Sequence, residues 1–129
     1  MTEEEILAKI APYCGEGRDK PVLGFYIGPG WYQIVADLID RITSVTTDFK
    51  IEQVKEKFGG LRFYYITGDL DDLDVSAIRA YVIAAENKSF ETCEETGKPG
   101  VLMRRKGRQY GWVRTLNPDD FGDEYEEIK

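Results

Sequence analysis

Apolar residues recur along the chain with two different periods, and the changes between them outline a fold. From Trp31 they fall at Ile34, Val35, Leu38, Ile39 and Ile42, the i, i+3, i+4, i+7 pattern of a helix with one face on a core, which predicts a helix over 31–45. A shorter stripe, Ile6, Leu7 and Ile10, follows Thr2 as an N-cap and three acids suited to a positive helix end. Pro12 limits it, so a small helix is expected over 3–11. A third stripe, Leu73, Ile78, Tyr81, Val82 and Ala85, predicts a helix over 71–91.

Between the second and third helices, "FKIEQVKEKFGGLRFYYIT" holds two β-compatible runs separated by Gly59-Gly60, a pair that tolerates the positive φ angles of a two-residue hairpin. With Phe58 opposite Leu61, one face carries Val54, Phe58, Leu61, Phe63 and Tyr65 as core. The other carries Lys55, Lys57, Arg62 and Tyr64, cationic and aromatic. The Gly- and Pro-rich stretch before the long helix leaves room for a short strand at Val22 to Ile27. "VLMRRK" and "GWVRTL" read as a second hairpin. The pattern is that of an α+β domain: an antiparallel hairpin sheet with two main amphipathic helices on its apolar face.

Composition narrows the chemistry. A chain of 129 residues suits one domain, expected here over 1–116. The chain contains no histidine, which removes the commonest general acid/base and the nucleophile pairs built on it. Its two cysteines, Cys14 and Cys93, form neither a C-x-x-C pair nor a disulfide framework. The glycines around 24–30 lack P-loop or dinucleotide spacing. Asp69, Asp71, Asp72 and Asp74 miss a calcium loop, because the sixth position is Asp74 and the twelfth Ala80, and helix capping accounts for them. The acidic opening lacks the basic and apolar regions of a secretory signal, and no run is apolar enough for a bilayer, so a cytoplasmic protein is expected.

Net charge is −7, unevenly spread. Residues 117–129 hold six acids and one lysine and read as an acidic, solvated tail. Residues 98–114 hold six lysines and arginines and no acid.

"QVKEKFGGLRFYY", the upstream "GPGWYQIVADLIDRI" and the closing run from Glu86 through "GWVRTL" resemble a family of small phage, prophage and bacterial proteins with no agreed activity. The likeness covers roughly 29–117. It implies a helix, a K-E-K-F-G-x-L-R-F-Y hairpin, a further helix and a zinc knuckle of the form C-E-x-C-G … G-W-x-R-T-L-C-x-x-C/H. Here Cys93 matches the first ligand, but Thr96 stands at the second and Asn117 at the third. One thiolate does not make a four-coordinate site. The expectation is a knuckle-like hairpin without metal or cofactor, packed through Val101, Met103, Trp112, Val113 and Leu116.

These features imply a non-enzymatic protein of a phage or mobile element that inhibits a host defence protein of the anti-CRISPR or anti-restriction type. Asp119, Asp120, Asp123, Glu124, Glu126 and Glu127 would meet a basic groove on that partner. The alternative is a nucleic-acid-binding protein using Lys55, Lys57, Arg62 and Tyr64, extended by Arg104, Arg105, Lys106, Arg108 and Tyr110. The net acidity disfavours it. An immunity protein against a toxin nuclease shares the physics of the first reading.

Overall fold

The computed structural model describes residues 1–108 and 110–129. The first helix, α1 (Glu3–Ile10), begins with a capping box: Thr2 Oγ1 accepts from Glu5 N–H, and Glu5 Oε1 accepts from Thr2 N–H. A glycine-rich stretch leads to β1 (Phe25–Tyr26), then to a short 3₁₀ turn and α2 (Tyr32–Thr43). The hairpin follows as β2 (Phe49–Lys57) and β3 (Gly60–Thr67). Next is α3 (Asp72–Ser89), capped by Asp71, whose carboxylate accepts from Asp74 N–H at 2.8 Å.

The fold is α+β as the two hydrophobic periods imply, with one addition. The first sheet, ordered β1-β2-β3, is mixed, because β1 runs parallel to β2 with Phe25 opposite Val54 and Tyr26 opposite Lys55. Parallel neighbours need a crossover, and α2 supplies it. One face of this sheet, with Ile51, Val54, Leu61 and Phe63, joins Trp31, Val35, Leu38, Ile42 and Ile78 of the helices in the main core.

The hairpin turn sits one residue earlier than the sequence suggests. Lys57 pairs with Gly60 and Glu56 with Leu61, so the turn residues are Phe58 and Gly59, with φ of 53° and 84°. Phe58 therefore leaves the expected core face and is 70% exposed. The two glycines have separate reasons. Gly59 takes the left-handed conformation of a two-residue turn, whereas a Cβ on Gly60 would stand 2.2 Å from the Phe90 ring.

The second hairpin is present as β4 (Val101–Arg105) and β5 (Val113–Leu116). Residues 117–129 do not leave the fold as a tail. Asn117 caps a single helical turn, α4 (Pro118–Phe121), and β6 (Tyr125–Glu127) adds to β4, giving a second sheet ordered β5-β4-β6. Phe121 and Tyr125 pack on Cys93, Met103 and Leu116, which is the apolar burial that composition alone conceals. Trp112, expected in that cluster, is 74% exposed, and its indole N–H donates to Glu56 Oε1 at 3.1 Å.

The start of α2 is fixed by backbone contact with the 92–97 turn. Gly30 N–H donates to Glu94 O at 2.6 Å, and Trp31 Nε1 donates to Thr92 O at 2.8 Å. A Cβ on Gly30 would lie 2.0 Å from Cys93 O and 2.5 Å from Gly97 N, both backbone atoms with nowhere to move. Gly30→Ala should therefore destabilise the protein by about 2 kcal/mol or more, within the overpacking range, read as a lower midpoint in urea unfolding.

Candidate functional site

Two surfaces and one buried cluster hold the chemistry-bearing side chains. The first surface is the outer face of β1-β2-β3. Lys55 stands directly opposite Arg62 across the β2–β3 ladder and opposite Tyr26 on β1. Gln53 faces Tyr64, and the Lys55 ammonium lies 6.0 Å from the Tyr64 ring centre. Lys57 sits over the exposed Phe58 ring at 5.7 Å. The four residues read from the sequence as an alternative binding face thus come together. Tyr26 and Ile66 extend the face, both exposed. The Tyr26 ring lies over Gly24, where a side chain would collide with it. Tyr26 was missed because the two-residue strand that aligns it gives no periodic signal.

The face has no carboxylate in register with its cations. Lys55 and Arg62 are like charges placed opposite each other, an arrangement that destabilises a sheet. Glu52 is engaged at 3.8 Å by Lys50 instead. The free edge of β3 is closed beside this face, because Leu61 N–H donates to Ser89 Oγ and Phe63 N–H to Glu86 Oε2 from α3.

The second surface carries the acids of α4 and β6. Asp119, Asp120, Asp123, Glu124, Glu126 and Glu127 are all exposed. Part of their charge is met within the chain: Lys98 Nζ lies 3.1 Å from Asp120, Arg105 lies 4.0 Å from Glu124, and Arg104 is opposite Glu126 in register. Arg105 also covers the Tyr125 ring at 5.3 Å. The basic hairpin and the acidic segment, separate in sequence, are neighbouring strands.

The buried cluster centres on Glu94, which sequence reading passed over. Its Oε2 accepts from Gly28 N–H at 2.9 Å, its Oε1 pairs with Arg114 at 3.3 Å, and its own N–H donates to Thr115 O at 3.0 Å. Arg114 also binds Glu95. Burial raises the Glu94 pKa, and the Gly28 N–H and Arg114 oppose that only in part. For Arg114, burial acts to lower the pKa and is outweighed by Glu95 and Glu94, so the guanidinium stays charged. The Cys14 thiol is pushed up to about 11 by burial, with Arg18 opposing. It is a packing thiol rather than a nucleophile.

Comparisons of the chain with protein families, with curated proteins and with solved structures found no match. The C-terminal part displays a three-stranded sheet, and no zinc-knuckle-like arrangement is seen among the described residues. Thr96 Oγ1 accepts from Lys98 N–H, Asn117 caps α4 and donates to Pro99 O, and Cys93 is buried against Met103 and Leu116. Among the described residues no group of three or more metal-ligating side chains gathers. Nor is any helix among them long and apolar enough to cross a membrane.

The raised pKa of Glu94 has a definite sign in stability. Its folded value lies above the unfolded 4.5, so the folded state holds the proton more tightly; that stabilisation is full below the unfolded value and is lost as pH rises through the folded one. Glu94→Gln lacks this titration. Denaturant midpoints measured from acid to neutral pH should fall more steeply with rising pH for the wild type than for Glu94→Gln.

Proposed function

We propose that the protein is a non-catalytic binding module that takes single-stranded nucleic acid on the open face of the β1-β2-β3 sheet. The observation that carries this reading is the half-buried Lys55–Arg62 cross-strand pair flanked by the exposed Tyr26 and Tyr64 rings. Opposed cations cost the sheet stability, and a phosphate between them relieves the cost. Strands lie about 4.8 Å apart, so three strands set cations and rings over a width that a single-stranded backbone can cross. Bases stack on aromatic rings while phosphates meet the cations.

The overall charge of −7 does not oppose this strongly, because exposed charges beyond about 10 Å are screened at ordinary salt. What matters is the local balance, and on this face the cations prevail. Binding by a few cations gives a shallow salt dependence, with a slope of roughly −2 for about three phosphates on a single strand.

The test is anisotropy of a labelled single-stranded oligonucleotide against salt, with Lys55→Glu as the deciding variant. A glutamate opposite Arg62 should weaken binding by at least about tenfold while raising stability by about 0.2–1 kcal/mol, the worth of an opposite-charge cross-strand pair. Tyr64→Ala should weaken binding with little change in salt slope. A wild type that binds no single strand at low salt would sink the proposal.

A second reading follows from the acids of 119–127, all of which are exposed. They suit a basic groove on a protein partner, such as a host nuclease or CRISPR effector that the protein would inhibit. Replacing Asp119, Asp123, Glu126 and Glu127 by their amides should then slow association with that partner and flatten its salt dependence, with unfolding unchanged. Equal association rates for both proteins would remove this reading and leave the sheet face untouched.

A further inference from the structure

The side chain at the tip of the β2–β3 hairpin does not suit its backbone. Phe58 has φ of 53°, and among the described residues no other non-glycine residue has a positive φ. It holds the first position of a two-residue turn, which Asn or Asp ordinarily fills ahead of Gly. A bulky side chain in the left-handed region is strained. The fold gains little from the ring in return, since it is 70% exposed and joins neither apolar cluster. Bonds from other parts of the chain fix the turn all the same: Glu56 Oε2 accepts from Gly59 N–H at 2.7 Å, and Thr115 Oγ1 donates to Gly59 O at 2.6 Å. Strain that is held in place around a ring the protein does not bury points to a contact with something outside it.

The surroundings of the ring identify that contact. Lys57 Nζ lies 5.7 Å from the Phe58 ring centre, and Lys55 Nζ lies 6.0 Å from that of Tyr64. Lys55 and Lys57 share the outer face of β2, two residues and about 7 Å apart. Among the described residues neither lysine makes an ion pair. The face thus repeats one unit, an unpaired ammonium beside an exposed ring, at close to the step between nucleotides of an extended single strand.

We propose that Phe58 and Lys57 form a second nucleotide subsite next to that of Tyr64 and Lys55, in which the Phe58 ring stacks on a base and Lys57 meets the adjoining phosphate. The inference rests on the single-strand reading of the β1-β2-β3 face and extends it to the hairpin tip. Stacking asks only for a π-face, so this subsite accepts any base.

Anisotropy of a labelled oligothymidylate, with urea unfolding of each variant alongside, tests it. Phe58→Asn supplies the residue that the turn prefers, so it should raise the urea midpoint. It should also weaken binding at least about fivefold, the lower end of what one stacked base contributes, with the salt slope unchanged. Phe58→Tyr keeps the ring and should bind as the wild type does. Phe58→Leu keeps the bulk, the apolar surface and the strain without a π-face, and should bind as weakly as Phe58→Asn. Lys57→Gln should make the salt slope shallower by about 0.7, the share of one phosphate on a single strand. Full binding by Phe58→Asn would overturn the subsite and leave the Lys55–Arg62 reading in place, whereas a wild type that binds no single strand would overturn both. Full binding by Phe58→Leu would overturn stacking in favour of an apolar contact with a protein. A lower urea midpoint for Phe58→Asn would show that the ring serves the fold itself, and that too would overturn the proposal.

Discussion

The carboxylate of Glu94 ties together three parts of the chain that are far apart in sequence. It holds the Gly28 amide ahead of α2, the Arg114 guanidinium on β5 and, through its own backbone, Gly30 and Thr115. The N-terminus of α2 has no side-chain cap, so its approach to the 92–97 turn does what a cap would do for the chain's entry angle. The same contact sets the second sheet against the first, where Thr115 Oγ1 donates to Gly59 O at 2.6 Å beneath the hairpin turn. A buried charge is tolerated only when paired and hydrogen-bonded, and Glu94 is both. Loss of either partner would therefore disturb the hairpin as well as the helix.

What could be read in advance was what repeats. The periodic stripes of α2 and α3 and the alternation of β2 and β3 locate themselves, because each residue reports on the same buried face. The turn register was misplaced by one, since two adjacent glycines look like two turn positions. Only one of them is, and the other makes room for Phe90, a contact thirty residues away. The C-terminal strand was hidden for a related reason. Phe121, Tyr125 and Ile128 are the only large apolar residues of 117–129, and the packing of Phe121 and Tyr125 depends on Met103 already being in place.

The candidate sites divide along the same line. Lys55, Lys57, Arg62 and Tyr64 were legible as one face because alternation needs no tertiary knowledge. Tyr26 was not, since its place depends on a parallel pairing across the whole of α2. Glu94 was not, since nothing local separates it from Glu91 or Glu95; only the Gly28 amide and Arg114, 66 and 20 residues away, distinguish it.

The distribution of charge changes meaning on folding. In sequence, a basic stretch is followed by an acidic one, and each looks like a binding element. Folded, β4 and β6 lie side by side, Arg104 is opposite Glu126 in register, and Arg105 lies 4.0 Å from Glu124. Opposite charges that close cancel most of each other's field beyond a Debye length. The β1-β2-β3 face behaves differently because its pairing is of like with like. Backbone register, fixed by the core-facing Val54 and Phe63, holds Lys55 against Arg62, and neither side chain can reorient to a carboxylate across the ladder. The cost of that pairing persists in the free protein, and an anion from outside would relieve it. On the proposed nucleic-acid reading, the acidic protein takes its anion where the register keeps its own acids from facing the cations.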